Sequence, residues 1–547
     1  MSPHPKPEQP PSPFAIALFR NVWTGTLISS FGVTIQGVGA AWLMTRLTSS
    51  PTMIALVATS TVVPIMLFAL LAGAMADSFE RRSVMIAAQL GIIAVSITLT
   101  VFAYMDWLTP GLLLLFTFAV GCGLAFNGPA SQAVVGEIVP RPVIPAAVAL
   151  NSMTFNIARS LGPAIGGAVV AATNAAAAFL LNALSSIPLI IVLARWKPAR
   201  LDNPLPRERI WHAMQAGLRF GAMSPDILRV MPRAGLFGFA IAALSGLMPV
   251  IAKDQLGGGA LTFGLLLGAY GVGSVAAGLA LSRLRRHRSS EQLVVLSSLA
   301  AAIGTAIVAF SPFLLLSMAG LLIAGVGWVL ALSTCNTAIQ LAAPRWVVAR
   351  MLSLYQMTTF GGFAVGAAAF GALADAMGLM TALLVAASIH LISVAYGWLL
   401  PIVEAERDLS PFDWQAPDLV VPIEGRSGPI IISITYEIEE HDSHRFLQLM
   451  QERRRVRRRD GAHGWRLMRD LGHPNRWIER YDFPTWHEYL RHNTRPTLAD
   501  ADNWQAVRAL HSGATPPVVS RFIERQTGNL PSGREPSARE LADYPIT

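Results

Sequence analysis

The chain has 547 residues, of which 53% are hydrophobic and only 14% charged, and its mean hydropathy is +0.48. Soluble globular chains carry roughly 25% charged residues, so a purely water-soluble protein is excluded. The net charge of +9 would suit nucleic acid, but the basic residues are strewn through loops between apolar stretches, which argues against that partner.

Residues 1–13 are Pro-rich and polar and lack the charged-then-apolar layout of a cleaved signal; 1–20 is expected to be a disordered tail. A membrane helix needs about 20 apolar residues. Twelve such stretches follow, at 22–46, 52–76, 83–105, 109–135, 143–171, 174–194, 229–252, 261–282, 291–311, 313–340, 347–374 and 378–400. The fold class expected is therefore an all-α polytopic membrane protein followed by an α+β domain. The domains are a first six-helix bundle (21–194), a cytoplasmic linker (195–228), a second bundle (229–401), a linker (402–428), a cytoplasmic ferredoxin-like domain (429–525) and a disordered tail (526–547). Cys122 and Cys335 fall inside apolar stretches and read as small buried hydrophobes, with no metal or disulfide framework.

Lys and Arg concentrate in alternate loops: Arg81 and Arg82; Arg141; Arg195, Lys197, Arg200, Arg207 and Arg209; Arg283, Arg285, Arg286 and Arg288; Arg345 and Arg350. Arg46 and Lys253 are the main exceptions. This is the positive-inside pattern, and it places both termini in the cytoplasm. The chain also repeats at an offset of 204 residues: Arg81 and Arg82 meet Arg285 and Arg286, Gly121 and Gly123 meet Gly325 and Gly327, and Pro140-Arg141 meets Pro344-Arg345. Two similar six-helix halves then enclose a site between them near the bilayer midplane.

Several residues point to chemistry. Between the second and third stretches stand Gly73, Asp77, Arg81 and Arg82, where a small residue lets helices approach and Asp77 either caps a helix start or pairs with an Arg as a conformational latch. Gly162, Pro163, Gly166 and Gly167 bend and thin the fifth helix. Arg159, on that helix, either faces a cavity as an intramembrane charge or snorkels from a cytoplasmic end. Asn151 and Asn156 fall near its face, and Gln36, Asn127, Asn336, Gln340, Gln356 and His390 lie in other apolar stretches. Each is expected either to bond between helices or to line a polar passage. Asn182 and Tyr355 are further polar residues of this kind, and Glu137 and Asp375 sit at helix ends.

The segment 73–82 resembles the signature loop of the major facilitator superfamily, with Ser78 and Glu80 departing from its pattern. The run 162–167 resembles the fifth-helix signature of exporters in that superfamily. With Asn127-Gly-Pro129, Pro140-Arg141 and Asn151-Ser152, the region 14–400 is similar to the branch containing the enterobactin exporter and transmembrane secretion effectors. The resemblance implies a bacterial inner-membrane, secondary-active exporter of small molecules of drug, siderophore or metabolite type, driven by an ion gradient with protons among the candidates.

The order of strand and helix signals over 429–525 suggests a β-α-β-β-α-β unit. It is similar to the dimeric α/β barrels of antibiotic-biosynthesis monooxygenases, which implies a homodimer through this domain. Trp465, Trp477, Trp486, His463 and His487 either line a pocket or fill its core, and the run Arg453–Arg459 is expected to meet lipid head groups or water. No nucleotide-binding loop occurs, and neither catalytic residues nor a cofactor are expected. Besides an exporter, the sequence leaves open a transporter fused to a catalytic or ligand-sensing monooxygenase-like domain, and a channel or membrane receptor. The partners expected are the bilayer and a small-molecule substrate.

Overall fold

Long apolar stretches bounded by capping residues become long helices here. In the computed structural model, which describes residues 12–140, 143–197, 210–344, 346–402, 408–409, 414, 419–421 and 423–524, the first half comprises α1 (Ala17–Leu47), α2 (Pro51–Ser78), α3 (Arg81–Tyr104), α4 (Pro110–Ile138), α5 (Ile144–Ala172) and α6 (Ala175–Arg195). Starts are set by local chemistry. Ser50 and Thr109 cap α2 and α4 with Pro next in line, and Asn174 accepts the Ala177 N–H at 3.0 Å.

A short helix, α7 (Ile210–Met223), precedes the second half: α8 (Pro225–Val250, continued by a π turn Ile251–Gln255), α9 (Ala260–His287), α10 (Ser290–Phe310), α11 (Leu314–Ala342), α12 (Val348–Met377) and α13 (Leu379–Leu399). Gly378 ends α12 at φ +86°, a left-handed conformation that glycine adopts without penalty. Among the described residues eleven helices are long and apolar enough to cross a membrane. α5, whose described apolar part Ile157–Ala172 is shorter, is not among those eleven.

Two sequence-derived boundaries move. α1 begins at Ala17, inside the expected tail 1–20, because the apolar pattern already starts there; residues 1–11 lie outside the described residues. The interval 195–228 contains α7 and the first turn of α8 and so is not plain linker. The expected tail 526–547, Arg141 and Arg345 also lie outside the described residues.

The repeat is visible in contacts. Arg81 Nη1 donates to the Ala133 carbonyl at 3.0 Å, and Arg285 Nη2 donates to Thr337 Oγ1 at 2.8 Å. Both pairs differ by the same 204-residue offset.

The chain forms two compact units: 1–210 with 229–339 and 352–404, and 211–228 with 340–351 and 405–547. The second contains β1 (Ile430–Glu437), α14 (Ser443–Arg459), β2 (His463–Arg469), β3 (Arg476–Phe483), α15 (Trp486–Thr494), α16 (Leu498–Ala509) and β4 (Val518–Ile523). Its four strands run in the order β2-β3-β1-β4, every pair antiparallel, as a ferredoxin-like sheet requires. β1 alternates buried Ile430, Ile432, Ile434 and Tyr436 with more accessible neighbours, so one face carries the core.

Candidate transport site

The two halves meet closely at one end. A Cβ added to Gly167 on α5 would lie 2.7 Å from Gly264 Cα on α9, and one added to Gly264 would lie 2.8 Å from Gly167 Cα. Only glycine permits that crossing. On the same side of the bundle as the α1–α2 loop, Asp375 Oδ2 of α12 accepts from Ser50 Oγ at 2.9 Å, from the Thr52 N–H at 2.9 Å and from Thr52 Oγ1. Lys253 Nζ donates to the Thr45 carbonyl at 2.5 Å. The carboxylate of one half thus satisfies first-turn groups of a helix in the other. In the basic loop between α2 and α3, Arg81 pairs with Glu137 at 3.0 Å, and Arg82 donates to the Leu193 carbonyl at 2.7 Å, both within the first half.

Arg159 is the sixteenth of the 29 residues of α5, hence near mid-membrane. Its guanidinium stands 4.9 Å from the Trp328 ring centre on α11, and Tyr270 on α9 is close enough to interact electrostatically. Trp328 and Tyr270 are 2% and 5% exposed, whereas Arg159 is exposed. No carboxylate pairs with Arg159 among the described residues. Pro163, four residues on, supplies no N–H to the Arg159 carbonyl, so α5 is weakened where the cation projects. Behind Trp328 the rings continue through Phe237, at 6.4 Å, to His390, 4.9 Å further on. His390 is wholly buried and neither ring nitrogen has a hydrogen-bond partner.

The other expected residues divide. Gln36 Oε1 accepts from Ser96 Oγ at 2.7 Å and Asn182 Nδ2 at 2.5 Å, a buried knot joining α1, α3 and α6. Asn127 Oδ1 is buried without a partner. Asn151, Asn336 and Gln356 are half-buried, and Gln340 is exposed at the end of α11. Gly162 packs on Thr34 and Gly166 on Val38, both of α1. Asn156 lies on α5, and Gly73 and Asp77 in the last turns of α2, but their side chains are outside the described residues. Glu80 stands at the N-cap position of α3, with no side-chain hydrogen bond to the helix start.

Sequence reasoning missed one buried charge pair. Arg233 of α8, fully buried, bonds Glu291 of α10, which also accepts the Ile402 N–H at 2.8 Å. Gly397 leaves the room: a Cβ there would lie 2.4 Å from Glu291 Oε1. The signal was an Arg and a Glu near the starts of two apolar stretches.

The basic run of α14 is corrected too. Arg453 and Arg459 are buried, not turned to lipid or water: Glu479 of β3 pairs with Arg453, and Asp460 and Asp500 pair with Arg459. Glu479 accepts from Arg453 at 2.8 Å, Tyr436 at 2.7 Å and Trp465 at 2.9 Å. Burial alone would raise its carboxyl, but Arg453 and Arg457 hold it down at about 2. Burial, reinforced by Arg457, keeps the His492 imidazole well below the usual histidine range. Trp477 and Trp486 belong to the core, whereas His463 is exposed.

Two six-helix halves that pack through glycines have the architecture of the major facilitator superfamily, and the chain is a secondary-active transporter that exports small molecules. The family described as transmembrane secretion effector matches residues 9–527, and the chain belongs to it. It is 26% identical over 395 residues to the enterobactin exporter EntS of Escherichia coli O1:K1 / APEC, covering 71% of this chain and 92% of that one. The same figures hold for EntS of Shigella boydii serotype 18. In fold it is similar to a bacterial homologue of the human lysosomal transporter Spinster, inward-facing and unoccupied (TM-score 0.58, 14% identity, 72% of this chain and 98% of that one). It is likewise similar to a POT family transporter in complex with 5-aminolevulinic acid (TM-score 0.58, 14% identity, 71% and 96%).

Proposed function

We propose that the exported molecules are small organic anions, held at the midplane by Arg159 with their apolar part against Trp328 and Tyr270. The single observation that carries this reading is an exposed arginine, mid-helix, whose guanidinium has an aromatic face on one side and no carboxylate partner among the described residues. An intramembrane charge so placed marks a substrate path. That relatives are exporters by name fits the direction of transport.

The basic loops face the cytoplasm in this reading, both termini lie there, and the membrane is the bacterial inner one. The Thr45–Lys253 and Thr52–Asp375 contacts then seal the outer end, and cargo enters from the cytoplasm. Alternating access follows when that seal opens and the basic-loop end closes. Protons are the coupling ion proposed. The C-terminal domain is read as non-catalytic and as the contact of a homodimer.

Metabolite profiling of medium from a deletion strain, its parent, and a strain carrying Arg159→Ala tests the reading. Organic anions should be depleted in medium from the deletion and the variant alike. Depletion confined to cations or neutral molecules, or normal export by Arg159→Ala, would refute it.

A further inference from the structure

A cavity in the second compact unit is not used by transport. It measures about 200 Å³ and lies between the sheet residues Ile432 and Ile434 and helices α14 and α16. That is below the roughly 300–1,000 Å³ of pockets for drug-sized ligands, so its occupant is fragment-sized. Trp414, Tyr481, Tyr489 and Trp504 give it aromatic walls.

Matching the charges around it leaves a surplus. Arg453 is answered by Glu479, whose oxygens are already taken by Arg453, Tyr436 and Trp465. Arg459 grips Asp460 at 2.8 and 3.0 Å and Asp500 at 2.9 Å, so one guanidinium is shared by both lining carboxylates. Arg457 and Arg521 remain. Arg457 lies 4.8 Å over the Tyr481 ring and meets His492 Nε2 at 2.9 Å; its nearest carboxylate oxygen, on Glu479, is 3.6 Å away. The Arg457 Nε is buried without a hydrogen bond. Arg521 Nε donates to Tyr489 Oη at 2.8 Å and has no carboxylate partner among the described residues. Four arginines thus face three carboxylates, and the one positive charge left over falls on Arg457 and Arg521, both set on aromatic rings and neither hydrogen-bonded to a carboxylate; that suits one kind of molecule.

We propose that this cavity binds a small aromatic anion, a one- or two-ring carboxylate, with its ring against the tyrosine and tryptophan faces and its charge on Arg457 and Arg521. The site is independent of Arg159. It borders the part of the unit that holds α7, since Arg459, which grips the lining carboxylates, lies 5.1 Å over the Phe220 ring. Occupancy is therefore placed beside the segment that joins the two transport halves.

Calorimetric titration of the full-length protein in lipid nanodiscs tests this, using 1-naphthoate and salicylate, with 1-naphthamide as the uncharged control. At least one of the two carboxylates binds saturably. The amide binds it at least about tenfold more weakly, and Arg521→Gln and Arg457→Gln each weaken the carboxylate by about tenfold. Arg159→Ala leaves that binding unchanged. Arg521 sits half-buried outside the Glu479 network, so its variant keeps the fold even if Arg457→Gln does not. Equal affinity for amide and acid, no effect of Arg521→Gln, loss of binding in Arg159→Ala, or no binding of either carboxylate up to about 1 mM would overturn the proposal.

Discussion

Asp375 Oδ2, near the end of α12, accepts the backbone N–H of Thr52 in the first turn of α2 at 2.9 Å, and so ties the second half to the first. A hydrogen bond to a charged group contributes about 1.5–3 kcal/mol. Asp375→Asn should loosen this end by roughly tenfold or more in the opening equilibrium. A cysteine placed at Thr48 in a background lacking Cys122 and Cys335 reports it: its reaction with an impermeant thiol reagent should quicken by that factor. An unchanged rate would show that the tie does not hold the seal.

The α5–α9 crossing makes a sharper demand. Gly167→Val places branched carbons where Gly264 Cα already lies within 2.7 Å of a bare Cβ. Neighbouring backbone cannot yield, so export should fall at least about tenfold while the protein still reaches the membrane, overpacking costing about 1–3 kcal/mol. Immunoblots of membrane fractions beside export assays separate the two effects.

The Gln36–Ser96–Asn182 knot is expected to act on stability. Such bonds average about 0.6 kcal/mol in membranes, with a maximum near 1.7. Gln36→Ala and Asn182→Ala should each lower the thermal transition in detergent, and the double variant should cost less than the sum. Strict additivity would mean that the two side chains do not bond.

Acid should loosen the C-terminal sheet. Glu479 titrates at about 2 in place of its ordinary 4.5, and His492 well below 6.5. Both folded values are depressed. Each group's stabilisation is present above its ordinary value and drains away as pH falls, first for His492 below about 6.5, then for Glu479 between about 4.5 and 2. Hydrogen exchange of β1 and β3 peptides should quicken in that order. Glu479→Gln should destabilise the domain by about 3 kcal/mol even at neutral pH, because it leaves buried guanidiniums unanswered.

Much of this was legible in the sequence, for reasons that differ by element. A bilayer demands length and apolarity, so the apolar stretches announced long helices, and the 204-residue offset announced contacts at matching positions, Arg81 to residue 133 and Arg285 to residue 337. The order of strand and helix signals over 429–525 marked the sheet. What stayed hidden depends on partners distant in sequence. Nothing near Arg453 names Glu479, nothing near Arg233 names Glu291, and nothing in a helix-end Asp375 says that its carboxylate reaches the other half. Likewise, the face on which Arg159 stands is set by Trp328, far along the chain.

Transport by inverted membrane vesicles tests the central claim most directly. The organic anion found depleted by profiling is supplied outside the vesicles, with an imposed proton gradient. Wild-type vesicles should concentrate it above the external level, Arg159→Ala vesicles should not, and Arg159→Lys should recover part of the uptake. Simple equilibration in the wild type, or undiminished accumulation with Arg159→Ala, would contradict an exporter that grips its cargo through this cation.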